Sequence, residues 1–286
     1  MALRYSRETC LARLRTQIEA GRAIVMTGAG NGLAAKFIER GGVDLIGIYN
    51  TGYFRMQGYG SLAGMLPILD ANEVVFRTAE REVLPQVTTT PVVAGVNGVD
   101  PLRDLPRFLV DLARIGISGV HNFPTVAWFD GNFRRSLEAT GLGYGRELAM
   151  LRAARDLDLL TVGYAFNAED VVRLMEDAAP DIFIFHAGIS AGGATGDAGA
   201  TSLAETAARS EIHFQLARKI RPEVILLGHG AAIVDPEHAQ YMVEHTGCHG
   251  VQLGSSIERL AVEGPIEARA AAFKATRLPG GRSHRP

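Results

Sequence analysis

The chain has 286 residues, 47% of them hydrophobic, which is enough to bury one large core, and its formal charge is −2. That balance gives no electrostatic footprint for nucleic acid or an anionic membrane surface, and no apolar run approaches the roughly 20 residues of a membrane helix. Two cysteines, Cys10 and Cys248, imply no disulfide framework and fit a reducing, cytoplasmic setting.

The first 20 residues are Arg-rich, but Glu8 and Glu19 interrupt them and no apolar signal core follows. Leu11, Leu14 and Ile18 share one helical face, which predicts a helix packed on the domain over residues 1–20. Ala23–Met26 then reads as a strand ending in the turn TGAGNG, followed by helical spacing at Leu33, Phe37 and Ile38. Leu45–Tyr49 is a second apolar run, followed by a long loop and a helix over Glu73–Leu84 with Asn72 as its cap. The run opening at Pro91 is third, and a helix over Leu105–Ile115 leads to a fourth at Gly119–Phe123. After a second long loop come a helix over Glu147–Leu157, a strand over Leu159–Phe166, a helix over Asp170–Ala178 and a strand over Ile182–His186. A third long loop, rich in glycine, precedes a helix over Leu203–Ile220. Val224–Leu227, a helix over His238–His245 and Val251–Leu253 complete the strands, and Ile266–Ala275 closes the chain before a polar tail at 277–286.

Eight short apolar runs alternate with helices. Continuous rather than alternating apolarity marks strands buried on both faces of a parallel sheet. Eight repeats of that unit predict a single (β/α)8 barrel over residues 21–276, with a doubly wound sheet as the alternative. The GAGNG turn lacks the G-x-G-x-x-G spacing, and Tyr49 and Asn50 stand where an acidic ribose partner belongs, so a dinucleotide site is excluded.

In such a barrel the chemistry gathers at the strand C-termini. Those positions hold Thr27, Tyr49 with Asn50, Asn97, Asn122, Tyr164, His186, His229, and Ser255 with Ser256. The loops after strands two, four and six are long enough for lids, and they bring Arg55, Asp130, Arg134 and Glu138 into range. The only lysines, Lys36, Lys219 and Lys274, stand away from strand ends, which argues against a Schiff-base enzyme. His186 and His229 are the candidate acid–base groups or transition-metal ligands, with satisfied core histidines as the structural alternative. His121, inside its strand, is expected to pack, and Trp128 with Phe129 to fold the fourth loop onto the barrel. The turns at Gly230–Ala231 and Gly254–Ser255–Ser256 match the phosphate cradle that many barrels build after their last two strands; as simple tight turns they would carry no ligand.

The runs GAGNGLAAKFIERGGVDLIGIYNTGYFRMQGYGSLAG, NFPTVAWFDGNFRRSLEATGLGYGRE, GHGAAI and GSSIERLAVEGPIEA resemble the phosphoenolpyruvate hydrolase-like TIM-barrel family. The resemblance implies a relative of the phosphoenolpyruvate mutase, phosphonopyruvate hydrolase and isocitrate lyase group. It implies a small anionic substrate, a phosphorylated or phosphono 2-oxo acid, cleaved beside its carbonyl with Mg2+. Asn97 and Asn122 depart from the acidic residues such enzymes place near strands three and four. In this reading Gly230, Ala231, Gly254, Ser255 and Ser256 hold the phosphoryl or phosphono group, and Asn50, Arg55, Asn97, Asn122 and Arg134 hold the rest of the substrate. Asp130 and Glu138 join His186 and His229 as catalytic candidates, on a fourth loop expected to close as a lid with hinges at Gly131, Gly141 and Gly143. A lyase resembling class II aldolases, with Zn2+ on the two histidines, is the second reading. A non-enzymatic sensing or scaffold barrel is the third. The first and last helices offer spare apolar faces, so a homo-oligomer is expected.

Overall fold

A computed structural model describes residues 4–276; the tail at 277–286 lies outside the described residues. Eight parallel strands close on themselves in sequence order, each bonded to the next and the last to the first. The strands are β1 (Ile24–Gly28), β2 (Leu45–Ile48), β3 (Val92–Gly95), β4 (Gly119–His121), β5 (Leu160–Ala165), β6 (Ile182–His186), β7 (Ile225–His229) and β8 (Gly250–Leu253). The barrel expectation holds, and the doubly wound alternative falls because β8 pairs with β1 along Ile24 to Thr27.

The helices in chain order are α1 (Arg7–Glu19), α2 (Gly32–Arg40), α3 (Asn50–Met56), α4 (Ala71–Thr78), α5 (Leu105–Ile115), α6 (Gly131–Ala139) and α7 (Tyr144–Asp156). They continue with α8 (Ala168–Arg173), α9 (Leu203–Ile220), α10 (Pro236–Thr246), α11 (Ser255–Glu258) and α12 (Leu260–Lys274). Two of the long loops therefore carry helices of their own, α3 after β2 and α6 after β4. The cap of α4 is Asp70, whose carboxylate accepts from Glu73 N–H. The expected cap, Asn72, is instead fully buried, and its amide ties Asn97 to Asp100.

Strand alternation sorts side chains into two cores. Inside the barrel lie Ile24, Met26, Leu45, Val93, Leu160, Val162, Ile182, Ile184, Ile225 and Leu227; the other face packs against the helices. Helix α1 belongs to the inner core: Cys10, Leu11 and Leu14 join that cluster, so the helix stoppers the N-terminal mouth. Arg7 anchors it, donating from Nε to both Asp181 oxygens at 3.0 Å. Cys10 and Cys248 are both buried and unpaired. At the other end of the chain, α12 buries none of its residues. Val262, Ile266 and Phe273 stand exposed on one side of it. No described helix is long and apolar enough to cross a membrane.

Candidate active site at the strand ends

The C-terminal ends of the strands enclose a cavity of about 40 Å³. That is room for about three waters, at one probe sphere each. Its floor is aromatic. Tyr49, His121, Phe123, Tyr164, His186 and His229 pack ring against ring, with Tyr49 stacked on His121 at 4.2 Å. Two inward-facing glycines make the stack possible. A Cβ on Gly47 would lie 2.5 Å from the Tyr49 ring, and one on Gly95 would lie 2.7 Å from the His121 ring. The Tyr49 and Tyr164 hydroxyls meet at 2.8 Å, and burial pushes both phenols above their ordinary range.

His186 and His229 end adjacent strands as register partners, their rings edge to face with centroids 4.3 Å apart. Their backbone contacts give them opposite tautomers. His229 Nδ1 lies 2.8 Å from the Gln252 carbonyl; a carbonyl only accepts, so Nδ1 carries the proton and Nε2 keeps a lone pair. His186 Nδ1 accepts from Gly188 N–H at 3.2 Å, so its proton sits on Nε2. Burial lowers both pKa values, His229 to about 4 and His186 well below the usual imidazole range. The Arg55 charge adds to the depression at His229. Both rings are neutral at pH 7: one offers an acceptor, the other a donor. His121 packs inside as expected, burial lowering it to about 3.

Arg55 supplies the charge. It comes from α3 in the long loop after β2, is buried, and donates from Nε to Glu258 Oε2 at 2.7 Å and from Nη1 to Ser61 Oγ at 3.0 Å. Its Nη2 also bonds Glu258, making a buried ion pair between α3 and α11. Ser255 faces Ser61 across the same wall, hydroxyl to hydroxyl at 3.5 Å. Gln252 adds an amide whose Nε2 donates to the Leu253 carbonyl at 2.7 Å, which leaves its buried Oε1 without a partner.

Of the residues anticipated from sequence, Arg55, His186, His229, Gly254 and Ser255 line the cavity together. The others are committed elsewhere. Asn50 donates to the Gly64 carbonyl at 2.6 Å. Asn97 caps the turn after β3, accepting from Val99 N–H at 3.4 Å. Asn122 is fully buried between Glu147 and the Tyr164 peptide N–H. Ser256 points outward and donates to the Ile233 carbonyl at 3.2 Å. The Ala231 N–H donates to the Gly188 carbonyl at 3.1 Å, so the Gly230–Ala231 turn is stitched to the loop after β6. The fourth-loop charges also stand away from the cavity. Arg134 reaches Asp170 at 2.8 Å, and Glu138 gathers Arg134, Arg173 and Tyr144 N–H. Asp130 ends that loop's extended stretch at the start of α6, which buries no residue. The network binds α6 to the barrel flank, and Leu62, Met65 and Ile189 line the cavity from the loops after β2 and β6.

Sequence reasoning missed Gln252, Ser61 and Glu147. Glu147 on α7 is fully buried and accepts from Asn122, the Thr125 hydroxyl and Val126 N–H, each at 2.7 Å. Burial raises it to about 7 against those three donors. It pins the root of the fourth loop, from which Trp128 packs edge-on against His186 at 4.6 Å. Trp128 thus folds the loop onto the barrel and lines the cavity at once.

The model of the family described as phosphoenolpyruvate hydrolase-like matches residues 9–276. The chain belongs to the phosphoenolpyruvate hydrolase-like family. A curated relative, the ToMV resistance protein Tm-1(GCR237) of Solanum lycopersicum, is 46% identical over 269 residues, which are 94% of this chain and 35% of the relative. This family member therefore spans about a third of that protein's length. Among solved structures, oxaloacetate acetylhydrolase in complex with 3,3-difluorooxalacetate shares the fold at a TM-score of 0.59 and 16% identity, covering 97% of this chain and 90% of that one. Phosphonopyruvate hydrolase in complex with oxalate and Mg2+ does so at 0.56 and 19%, covering 93% and 87%. These likenesses show a shared barrel fold.

A Mg2+ site, which the sequence resemblance implies, is a poor match to the donors present. Mg2+ takes hard oxygen ligands and normally one or two carboxylates. No Asp or Glu lines the cavity; Glu258 is held by Arg55, and Glu147 lies behind Asn122. Among the described residues no three His, Cys, Asp or Glu side chains are grouped to hold a metal ion, so the two histidines have no third partner for Zn2+ either.

Proposed function

We propose that this chain is a hydrolase or lyase that breaks a bond beside the carbonyl of a small 2-oxo acid, by histidine acid–base chemistry. The observation that carries the reading is the complementary pair, His229 with a lone pair on Nε2 and His186 with a proton on Nε2, set in one cavity with Arg55. The remaining N–H groups of Arg55, with the Ser61 and Ser255 hydroxyls, hold the substrate carboxylate. His229 Nε2 removes a proton from the attacking water or from the substrate hydroxyl. The His186 Nε2–H donates to the oxygen on which negative charge develops. The aromatic walls exclude bulk water, so each of these contacts acts in a low dielectric.

The test is a turnover panel of short 2-oxo acids, phosphorylated, phosphono and unsubstituted, followed by release of phosphate and of pyruvate-type products. Turnover of at least one member by the wild type, lowered roughly 10² to 10⁴-fold in His229→Gln, is the expected result. Silence across the panel from a folded wild-type protein removes the enzymatic reading and leaves a sensing or scaffold barrel.

A further inference from the structure

We infer that the cavity takes a short, singly charged 2-oxo acid without a divalent metal, and not the phosphorylated or phosphono dianion that the family description suggests. The inference rests on the substrate reading above and narrows it.

Charge is the first argument. Arg55 is the one charged residue among those lining the cavity, and Glu258 already binds its Nε and Nη2. The two neighbouring imidazoles are neutral. A carboxylate can share the remaining guanidinium N–H groups with two serine hydroxyls. A second or third negative charge would be buried with no cation facing it, the costliest arrangement a site can offer.

The acceptors give the second argument. His229 Nε2 and Gln252 Oε1 stand on register-paired strand ends, and neither has a donor within the protein. The Gln252 orientation is fixed, because only its Nε2 can donate to Leu253. Two bare acceptors suit a hydroxyl, a carbonyl hydrate or a water; they repel the oxygens of a deprotonated phosphonate.

The usual phosphate cradle is also partly spent. The Ala231 N–H is bonded to Gly188 and the Ser256 hydroxyl to Ile233. Helix α11 is four residues long, too short to present a useful dipole.

Calorimetric binding to the 286-residue chain tests this with pyruvate, 2-oxobutyrate, phosphonopyruvate, inorganic phosphate and oxalate, each in excess EDTA and again in millimolar Mg2+. The expected result is pyruvate or 2-oxobutyrate binding that changes less than about twofold between the two buffers, with phosphonopyruvate roughly tenfold weaker or worse. Gln252→Glu, which adds a negative charge to the cavity lining, should weaken pyruvate roughly tenfold while the melting profile stays cooperative. Tighter binding of phosphonopyruvate than of pyruvate, a Mg2+ requirement for any probe, or no binding by either short acid would overturn the inference. Binding and turnover separate the two claims. Metal-free pyruvate binding beside a silent turnover panel leaves this inference standing and defeats the enzymatic reading. Turnover confined to phosphono acids does the reverse.

Discussion

His229 Nδ1 and the Gln252 carbonyl are 2.8 Å apart, and that one bond decides which nitrogen of His229 faces the chemistry. It ties the end of β7 to β8, so the orientation of the base is written into the barrel's own register. Replacing His229 by Gln keeps a donor for that carbonyl and removes the basic nitrogen. Turnover should fall by roughly 10² to 10⁴, with little change in melting temperature. His186→Gln should lower turnover as well and also destabilise by about 1–3 kcal/mol, since its ring is boxed in by Phe166 and Trp128. A His229→Gln protein that melts far below wild type with turnover intact would reduce the histidine to a packing residue.

Acid sensitivity follows from three buried neutral imidazoles. His121, His186 and His229 all have folded pKa values below the unfolded 6.5, reaching about 3 for His121 and about 4 for His229. Below pH 6.5 the unfolded chain takes up protons that the folded one refuses, so stability falls as pH drops toward 4. Glu147, raised to about 7, acts in the opposite sense: from its unfolded value of 4.5 up to 7 the folded state binds its proton more tightly. Three histidines against one carboxyl leave a net loss on acidification, with a slope of up to roughly 2.7 kcal/mol per pH unit. Urea midpoints measured between pH 4.5 and 7.5 should rise with pH; a flat or falling series contradicts the assignment. The acid limb of kcat/KM should likewise lie near pH 4 rather than 6.5.

The Arg55–Glu258 pair is buried on both sides. Glu258→Gln strips the arginine of its counter-charge and should cost about 3–5 kcal/mol, while a double change to Met at both positions should recover much of that loss. Urea unfolding of the two singles and the double supplies the cycle. A single variant within 1 kcal/mol of wild type, on the order of an exposed pair, would show that water reaches the site freely.

Helix α12 turns an apolar stripe of Val262, Ile266 and Phe273 to solvent. Over the β8–β1 seam, Val25, Val234, Val243, Val251 and Ile257 line an apolar groove of about 440 Å³. Helix and groove suit one another, so self-association through this seam is expected. Light scattering should give a multiple of 30.6 kDa for the wild type and the monomer mass for Ile266→Glu/Phe273→Glu. A wild-type mass of one chain at micromolar concentration rejects it.

The barrel was legible because buried parallel strands are written as continuous apolar runs, and all eight stand within a few residues of their expected places. The strand ends His186 and His229 and the loop residues Arg55 and Ser255 lie in one cavity. The fourth-loop charges stand apart from it, because sequence gives their reach without their direction. Arg134 and Glu138 turn toward Asp170 and Arg173 on the flank. Glu147 was invisible for the opposite reason. A glutamate at a helix start reads as solvated, and only the fold reveals the three donors that surround it. Gln252 was hidden inside an apolar run, where the period-two alternation of β8 turns it inward.

Trp128 is the chain's single tryptophan, and it lies edge-on to His186 in the wall of the cavity. The protein thus carries a native optical probe at its candidate site, with no second indole to blur the signal. Indole emission shifts to the red as its surroundings become wetter and is quenched more strongly by a charged imidazole than by a neutral one. Ligand entry, loosening of the fourth loop by Glu147→Gln, and protonation of His186 can each be followed in unlabelled protein as a change in one emission band.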